Sequence, residues 1–221
     1  MCDHRPLKSE PWHVRIVVGE DRLLYDDDPG SPAELLLETK ILLNSVISNA
    51  CKGARFMSLD LKDYFLGTPM ETPEVMCVQL KYFPRDIINK YKWTNLIQKD
   101  QYVYIQIKKG KYGLKQAALL AYNIFIKNLK EDGYHPIPHM DSYCKHDRYP
   151  TTFCLCVDDF GVKYFCKTKL NHLINSLLKN YKISTDYSGT NYCGLTIKWN
   201  YEQGYVDISI RDYVPKNLKK F

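Results

Sequence analysis

Apolar residues recur at three- and four-residue spacing in three stretches of the chain, which is typical of amphipathic helices. The first stretch opens with Ser31, Pro32 and Glu34, a combination that caps the first turn of a helix. Another ends at Gly133, a residue type that often terminates helices. Together with a short helix expected after Pro84, the pattern predicts helices at residues 32–48, 84–91, 115–132 and 168–180.

Runs of β-branched, aromatic and other apolar residues lie between polar turns and predict strands. Two pairs of strands read as hairpins, one turning at Asp158-Asp159 and the other at Glu202-Gln203-Gly204. The order of elements favours an α+β fold of the split βαβ kind, with helices on one face of the sheet. The predicted strands are residues 13–18, 54–60, 75–80, 102–107, 152–157, 160–165, 192–199 and 205–210.

The composition is that of a globular protein. The 221 residues are 45% hydrophobic and 25% charged, which excludes disordered and collagen-like classes and predicts one large domain, or one domain with a fragment. The net charge of +6 permits nucleic-acid binding without requiring it.

The cysteines and the apolar runs bear on the expected cellular location of the protein. None of the eight cysteines forms a Cys-x-x-Cys pair, so we expect reduced thiols in an intracellular protein and no zinc site. The longest apolar run, 117–122, is far shorter than the roughly 20 residues of a membrane span. The first residues also lack the apolar stretch of a secretory signal, so no membrane partner is expected.

Three acids, Asp60, Asp158 and Asp159, each end an apolar strand. Carboxylates there are costly to desolvate and repel one another, and a shared divalent cation relieves both effects. Oxygen ligands favour Mg²⁺, with Mn²⁺ also suitable, and a two-metal site can activate a hydroxyl for phosphoryl transfer. We therefore expect strands 54–60 and 152–158 side by side, with all three acids at one edge. Asp158-Asp159 serving only as a hairpin turn is the alternative.

Four ordered motifs carry a resemblance to a known family. Ser58–Gly67 resembles the first catalytic motif of copia-type retrotransposon reverse transcriptases, and Lys111–Ala117 resembles their Tyr-Gly-Leu-Lys-Gln-Ala motif. Cys156–Asp159 resembles their Tyr-Val-Asp-Asp box, and Tyr192–Ile197 resembles the hairpin motif that follows it. The resemblance extends from about residue 13 to 221.

The resemblance implies a polymerase palm with these acids at its centre. Asp60 and Asp158 would be the shared metal ligands, the Leu61 carbonyl would assist, and Asp159 would bind metal less directly. Cys156 stands where the family usually has a tyrosine facing the primer, and Gly194 lies on the hairpin that would brace the primer end.

Three further positions are implied to bind the incoming nucleotide. Phe65 would lie beneath its sugar and reject a 2′-hydroxyl, while Gln116 and Arg15 would contact the nucleotide and its triphosphate. The ordinary alternatives are that Phe65 is a core residue, that Gln116 is a polar residue at the start of a helix, and that Arg15 is a solvated charge on a strand. Four lysines form a cluster that could equally well contact phosphates or be an ordinary solvated charge run. They are Lys108, Lys109, Lys111 and Lys115.

The family pattern also implies a domain organisation. Residues 1–53 would be a partial fingers segment, residues 54–199 the palm, and residues 200–221 the last strand and the start of a truncated thumb. We therefore expect a palm-centred segment of a polyprotein, or a truncated genomic copy.

The function expected from the resemblance is that of an RNA-directed DNA polymerase. Its partners would be an RNA template, a DNA primer and deoxynucleoside triphosphates, with integrase and ribonuclease H segments if the chain belongs to a polyprotein. Its location would be the cytoplasm, within a virus-like particle if the element is active. An inactive remnant that at most binds nucleic acid is one alternative. A nucleotide cyclase is another, although it does not explain residues 111–117.

Overall fold

The computed structural model is a mixed α+β fold with antiparallel sheets, and the predicted α+β class is confirmed. The chain divides into two compact units, residues 1–27 with 65–120 and residues 28–64 with 121–221. No helix among the described residues is long and apolar enough to cross a membrane. The described residues are 2–4, 12–14, 17–18, 36–97, 101–114 and 116–210.

The structure contains five α-helices and thirteen strands within the described residues. In chain order they are β1 (Cys2–His4), β2 (Trp12–Val14), α1 (Leu36–Ser48), β3 (Arg55–Lys62), α2 (Tyr64–Gly67), β4 (Pro69–Gln79), α3 (Arg85–Lys90), β5 (Tyr102–Lys109), α4 (Ala117–Lys130), β6 (Tyr134–Ile137), β7 (Met140–His146), β8 (Thr152–Cys156), β9 (Asp159–Tyr164), α5 (Lys167–Leu178), β10 (Lys182–Asp186), β11 (Asn191–Tyr192), β12 (Leu195–Asn200) and β13 (Tyr205–Ser209). Short 3₁₀ helices lie at Ala50–Lys52, Leu80–Tyr82 and Trp93–Leu96.

The helices predicted from apolar spacing are present, with ends that differ by a few residues. The helix expected at 115–132 is α4, and the one expected at 168–180 is α5. Residues 31–35, which carry the predicted capping sequence of α1, lie outside the described residues. The strand expected at 75–80 is longer than predicted, since β4 begins at Pro69.

The main sheet of the second unit has six antiparallel strands in the order β10-β3-β9-β8-β7-β6. The prediction that strands 54–60 and 152–158 lie side by side is wrong, because β9 lies between β3 and β8. A turn of two residues, Val157 and Asp158, joins β8 to β9, and β9 is the strand of this hairpin that pairs with β3. Asp159 is thus the first residue of β9 and not part of the turn.

Helices cover both faces of this sheet, so the prediction of helices on one face is also wrong. On one face Leu42 of α1 belongs to the same buried cluster as Phe56 and Cys154. On the other face the ring of Phe125 in α4 lies 5.3 Å from that of Phe160. The α1 sequence carries its own apolar stripe and needs a buried partner, which the second face supplies.

A three-stranded sheet, β11-β12-β13, packs on the α1 face through Tyr192 and Ile197. Its first turn consists of Cys193 and Gly194, with φ of 47° and 76°. Two successive positive φ values define a type I′ hairpin turn, which glycine adopts readily. The hairpin predicted around residues 202–204 is confirmed by the pairing of β12 with β13.

The other unit is built on the antiparallel pair β4–β5. Along this ladder, side chains alternate between a more buried row with Val103 and a row with the exposed Val75 and Tyr104. Met70, Leu114 and Ala117 form a small buried cluster within the unit.

Candidate active site

Asp60 and Asp159 stand directly opposite each other on β3 and β9. In the same register Asp159 faces Cys156 on β8, and Asp60 faces Ser184 on β10. Directly opposed residues of an antiparallel pair point to the same face, with their Cβ atoms about 4.5–5.5 Å apart. These four residues therefore form one row across the sheet, which we call the acidic row.

The acidic row lies where one face of the sheet changes from apolar to polar. Along β3, side chains on this face run from Phe56, which is buried, through Ser58 to Asp60, which is half-buried. Along β8 the same face runs from the buried Cys154 to the half-buried Cys156. The acids thus emerge at the rim of the core that α1 covers, so they avoid full desolvation and remain accessible.

A small depression of about 160 Å³ opens beside the acidic row. Its lining includes Ser58, Asp60, Asp159, Ser184 and Asp186. The Ser184 hydroxyl donates a long hydrogen bond of 3.5 Å to Oδ2 of Asp60. The depression therefore presents carboxylate and hydroxyl oxygens, which suit hard cations.

Asp186, the third acid of the depression, holds the loop that follows β10. One carboxylate oxygen accepts hydrogen bonds from the backbone N–H and hydroxyl of Ser188, and the other accepts them from Thr190. Burial acts to raise the pKa of Asp186, but these hydrogen bonds outweigh burial and lower it. Asp186 is therefore an ionised anchor of the loop.

Asp158 belongs to the two-residue turn beside the acidic row. Its carbonyl oxygen accepts a hydrogen bond of 2.9 Å from the backbone N–H of Leu61, so the backbones of Asp60, Asp158 and Asp159 meet at one end of the sheet. The Leu61 side chain is buried. Asp158 is half-buried and is not among the residues that line the depression.

The turn that carries Asp158 is strained. Val157 has φ = 61°, a left-handed conformation that is unfavourable for a β-branched residue. A positive φ at the first turn position is the geometry of a type II′ turn, where glycine is normally preferred. Strain of this kind costs about 1–3 kcal/mol and is concentrated at functional sites.

Tyr64, immediately after this part of β3, is buried and packs edge-on against Phe125 with ring centroids 6.2 Å apart. Burial raises the pKa of Tyr64 far above its ordinary value, and the negative charge of Asp158 contributes a smaller increase. The phenol therefore stays protonated beside the acids at neutral pH.

Phe65 and Gln116, predicted to bind the nucleotide, lie in the unit built on β4–β5. Phe65 is half-buried, with its ring edge-on to Tyr112 at 5.7 Å. Gln116 is buried, and its amide donates a hydrogen bond of 2.7 Å to Oε1 of Glu74. Arg15 and Lys115 lie outside the described residues.

Two glycines fix the loop between β5 and α4. A Cβ on Gly110 would collide with the carbonyl oxygen of Phe65, and one on Gly113 would collide with that of Val18. Gly113 also has φ = +87°. In the same loop, burial lowers the pKa of Lys111. The connection at residues 110–114 is therefore tightly packed.

The donor set around the acidic row fits a magnesium or manganese ion that is completed by a substrate. Within the described ranges, no three histidine, cysteine or acidic side chains are grouped closely enough to enclose a metal by themselves. Mg²⁺ is commonly held by one or two carboxylates, with water and substrate phosphates filling its remaining positions. An opposed pair of carboxylates satisfies that requirement.

Ser184 and Asp186 were not predicted as site residues, because β10 was not predicted at all. Residues 182–186 contain a single apolar residue, Ile183, which is too weak a signal for a strand. Their register with Asp60 and Ser58 exists only in the folded sheet.

In the comparison with known proteins, the likeness found is distant and lies in structure. No protein-family model matches the sequence. No curated protein matches it either. In structure the chain is similar to telomerase from Candida albicans in complex with a fragment of telomeric RNA, with a TM-score of 0.44 and 9% sequence identity. The likeness covers 80% of this chain and 35% of that one, so the chain spans about a third of the length of the telomerase.

Proposed function

We propose that the chain is the RNA-directed DNA polymerase domain of a copia-type retrotransposon. The supporting observation is the acidic row, in which Asp60 and Asp159 oppose each other at the rim of the core while Asp158 follows in a strained turn. The ordered motifs that resemble this family point to the same chemistry. If the two opposed carboxylates had only a structural role, their repulsion would destabilise the sheet and no bound cation would offset it.

In this proposal the three acids share Mg²⁺ or Mn²⁺. Asp60 and Asp158 are the main ligands, Asp159 binds less directly from its position opposite Asp60, and the Leu61 carbonyl assists. When bound, the cation activates the primer 3′-hydroxyl and neutralises charge on the triphosphate. The Val157 turn fixes Asp158 in one orientation. Cys156 faces the primer end, and Gly194 supports it from the β11–β12 turn.

The proposal also assigns residues to the incoming nucleotide and names the partners of the domain. Phe65 rejects ribonucleotides by occupying the space that a 2′-hydroxyl needs, while Gln116 and Arg15 bind the nucleotide. The partners are an RNA template, a DNA primer and deoxynucleoside triphosphates, and in a polyprotein also integrase and ribonuclease H. The domain works inside the cell.

Two measurements on the same variants test this proposal. The first is the melting temperature with and without Mn²⁺, and the second is single-nucleotide extension of a DNA primer on an RNA template. The wild-type chain should melt at a higher temperature with Mn²⁺, because a ligand that binds only the folded state stabilises it. Asp60→Asn and Asp158→Asn should abolish both the shift and the extension, while the exposed Glu202→Gln should retain both.

A folded wild-type chain that shows no cation shift would contradict the metal site. Extension by Asp60→Asn at the wild-type rate would contradict the catalytic role of the acidic row. Extension that is independent of the template sequence would favour a different nucleotidyl-transfer reaction.

A further inference from the structure

A second pocket, with a volume of about 630 Å³, opens in the unit built on β4–β5. It is lined by the end of β4, by the following 3₁₀ helix, by α3, and by Gln101 before β5. Three of its lining residues, Gln79, Asn89 and Gln101, carry side-chain amides. We call it the amide pocket. Nothing in the proposed polymerase chemistry uses it.

Amide groups are suited to reading the edge of a nucleobase. Each carries two N–H donors and a carbonyl acceptor, so it can pair with a base that presents the complementary donor and acceptor. Gln and Asn are used in this way for adenine. Three amides around one pocket give several such pairing positions, while Leu80, Ile88 and Ile97 give it apolar walls.

An aromatic ladder begins in the pocket wall and continues to the surface. Phe83 lines the pocket, and the ring of Trp93 stands edge-on to it with centroids 4.8 Å apart. Tyr91 in turn stacks on Trp93 at 5.7 Å. Tyr91 is 55% exposed and the nearby Tyr82 is 71% exposed. Exposed rings are the platforms on which unpaired bases stack.

Positive charge surrounds these rings. Residues 79–97 contain four cations, Lys81, Arg85, Lys90 and Lys92, against one carboxylate, Asp86. Lys81 and Arg85 line the pocket itself.

Two of the cations also lie over exposed rings. The ammonium of Lys81 lies 5.1 Å from the ring centre of Tyr82, and that of Lys90 lies 5.5 Å from that of Tyr91. Stacking surfaces and phosphate-binding groups therefore alternate around the pocket, as single-stranded nucleic acids require.

We propose that the amide pocket binds an unpaired base of a single-stranded nucleic acid, with Lys81 and Arg85 holding the adjoining phosphates. An acidic peptide would match the charge but would make no use of the amides or the aromatic ladder. A duplex would keep its bases out of a pocket of this kind. This binding is independent of any metal at the acidic row.

The test is fluorescence anisotropy with labelled single strands of about ten nucleotides, matched to the usual site size of such proteins. The full 221-residue chain is used with EDTA present, so that failure of the acidic row cannot affect the result. The strands are DNA, RNA and an abasic strand of equal length, measured between about 50 and 200 mM salt. The DNA and RNA arms decide which strand is preferred.

The key variant is the double substitution Lys81→Gln with Arg85→Gln, and its matched control is Lys40→Gln with Lys130→Gln. All four side chains are exposed, and both doubles remove two positive charges. The pocket double should reduce the slope of log affinity against log salt by about 1.4, since each phosphate contact of a single strand contributes about 0.7. The control double should change the slope much less.

A second variant tests the base rather than the charge. Phe83→Leu should weaken binding to normal strands about five-fold or more, as loss of one stacked base does, and should leave abasic-strand binding unchanged. A melting curve of each variant confirms that it is folded. Equal affinity for abasic and normal strands would overturn the proposal, and so would equal slopes for the two double variants. Tighter binding of an acidic peptide than of any strand would assign the pocket to a protein partner instead.

Discussion

The carboxyl groups of Asp60 and Asp159 project from directly opposed positions on two neighbouring antiparallel strands. Like charges in this arrangement destabilise a sheet, by about 0.2–1 kcal/mol in the usual range. The structure thus has a local weakness at the position where the proposed chemistry needs negative charge, as is common for sites that bind cations.

Replacing one acid of this pair should stabilise the metal-free protein. In EDTA at neutral pH, Asp159→Asn should raise the free energy of unfolding by up to about 1 kcal/mol, because it removes the repulsion from Asp60. Thermal melting followed by circular dichroism measures the change. The exposed Glu202→Gln serves as a control for the loss of one negative charge. A less stable Asp159→Asn would mean that the two carboxylates do not repel each other in the folded state.

Relief of the strained turn should also increase stability. Val157→Gly should raise the free energy of unfolding by about 1 kcal/mol, since glycine adopts φ = 61° without a Cβ clash. Val75→Gly, at an exposed position in β4, should instead lower stability because glycine is unfavourable in a strand. Urea unfolding of the two variants gives the comparison. If Val157→Gly lost stability as Val75→Gly does, the turn would not be strained.

Close packing beneath α1 leaves too little room for a side chain at Gly161. A Cβ at this position would lie 2.9 Å from side-chain atoms of both Leu42 and Tyr192 and 3.0 Å from Phe56. Gly161→Ala should therefore destabilise the protein by about 1–3 kcal/mol, as overpacking of a core does. Gly67→Ala, where a Cβ meets no atom within 4 Å, should be close to neutral. Equal melting temperatures for the two variants would contradict this account.

Stability should fall in mild acid through His146. Burial, followed by the nearby His172, lowers the pKa of His146, and its Nδ1 accepts hydrogen bonds from the backbone N–H groups of Arg148 and Tyr149. When the pKa of a group is lower in the folded state than in the unfolded state, the unfolded state binds the proton at a higher pH. Protonation therefore favours unfolding. The contribution of His146 is complete above its unfolded pKa of about 6.5 and declines as the pH falls below that value.

Melting temperatures between about pH 7 and pH 5 measure this decline. His146→Gln should reduce the pH dependence, whereas the exposed His139→Gln should leave it unchanged. Identical pH profiles for wild type and His146→Gln would assign the decline to other groups.

Phe65 should control the choice between deoxyribo- and ribonucleotides. Phe65→Val opens space beneath the sugar, so discrimination against ribonucleotides should fall about ten-fold or more, equivalent to about 1.4 kcal/mol. The ratio of kcat/KM for the two nucleotides measures it. The ring also packs against Tyr112, so an unchanged ratio in an active Phe65→Val variant would identify Phe65 as a packing residue only.

The sequence is informative where the signal is local. Apolar periodicity predicts α4 and α5, and the strand-end position of Asp60 follows from the apolar residues before it. The strands β6 and β10 were not predicted, because β6 contains Pro136 and β10 has a single apolar residue, Ile183. Both are edge strands, which tolerate proline and polar residues.

Contacts between distant parts of the chain could not be predicted from local sequence patterns. The contact of Gln116 with Glu74 joins residues 42 positions apart, and nothing near Gln116 indicates that partner. The pairing of β3 with β9 rather than β8 likewise joins distant parts of the chain, and no residue in β3 indicates which strand of the hairpin is its partner.

The strand order has a consequence for how the acids come together in time. The β8–β9 hairpin closes through a turn of two residues and can form within about 1–10 μs. Asp60 reaches Asp159 only when a loop of about a hundred residues has closed, a step opposed by chain entropy. A partly folded chain can therefore contain the hairpin while the acid pair is still unformed. Amide hydrogen exchange along β3, rather than along β8, then reports whether the acidic row exists.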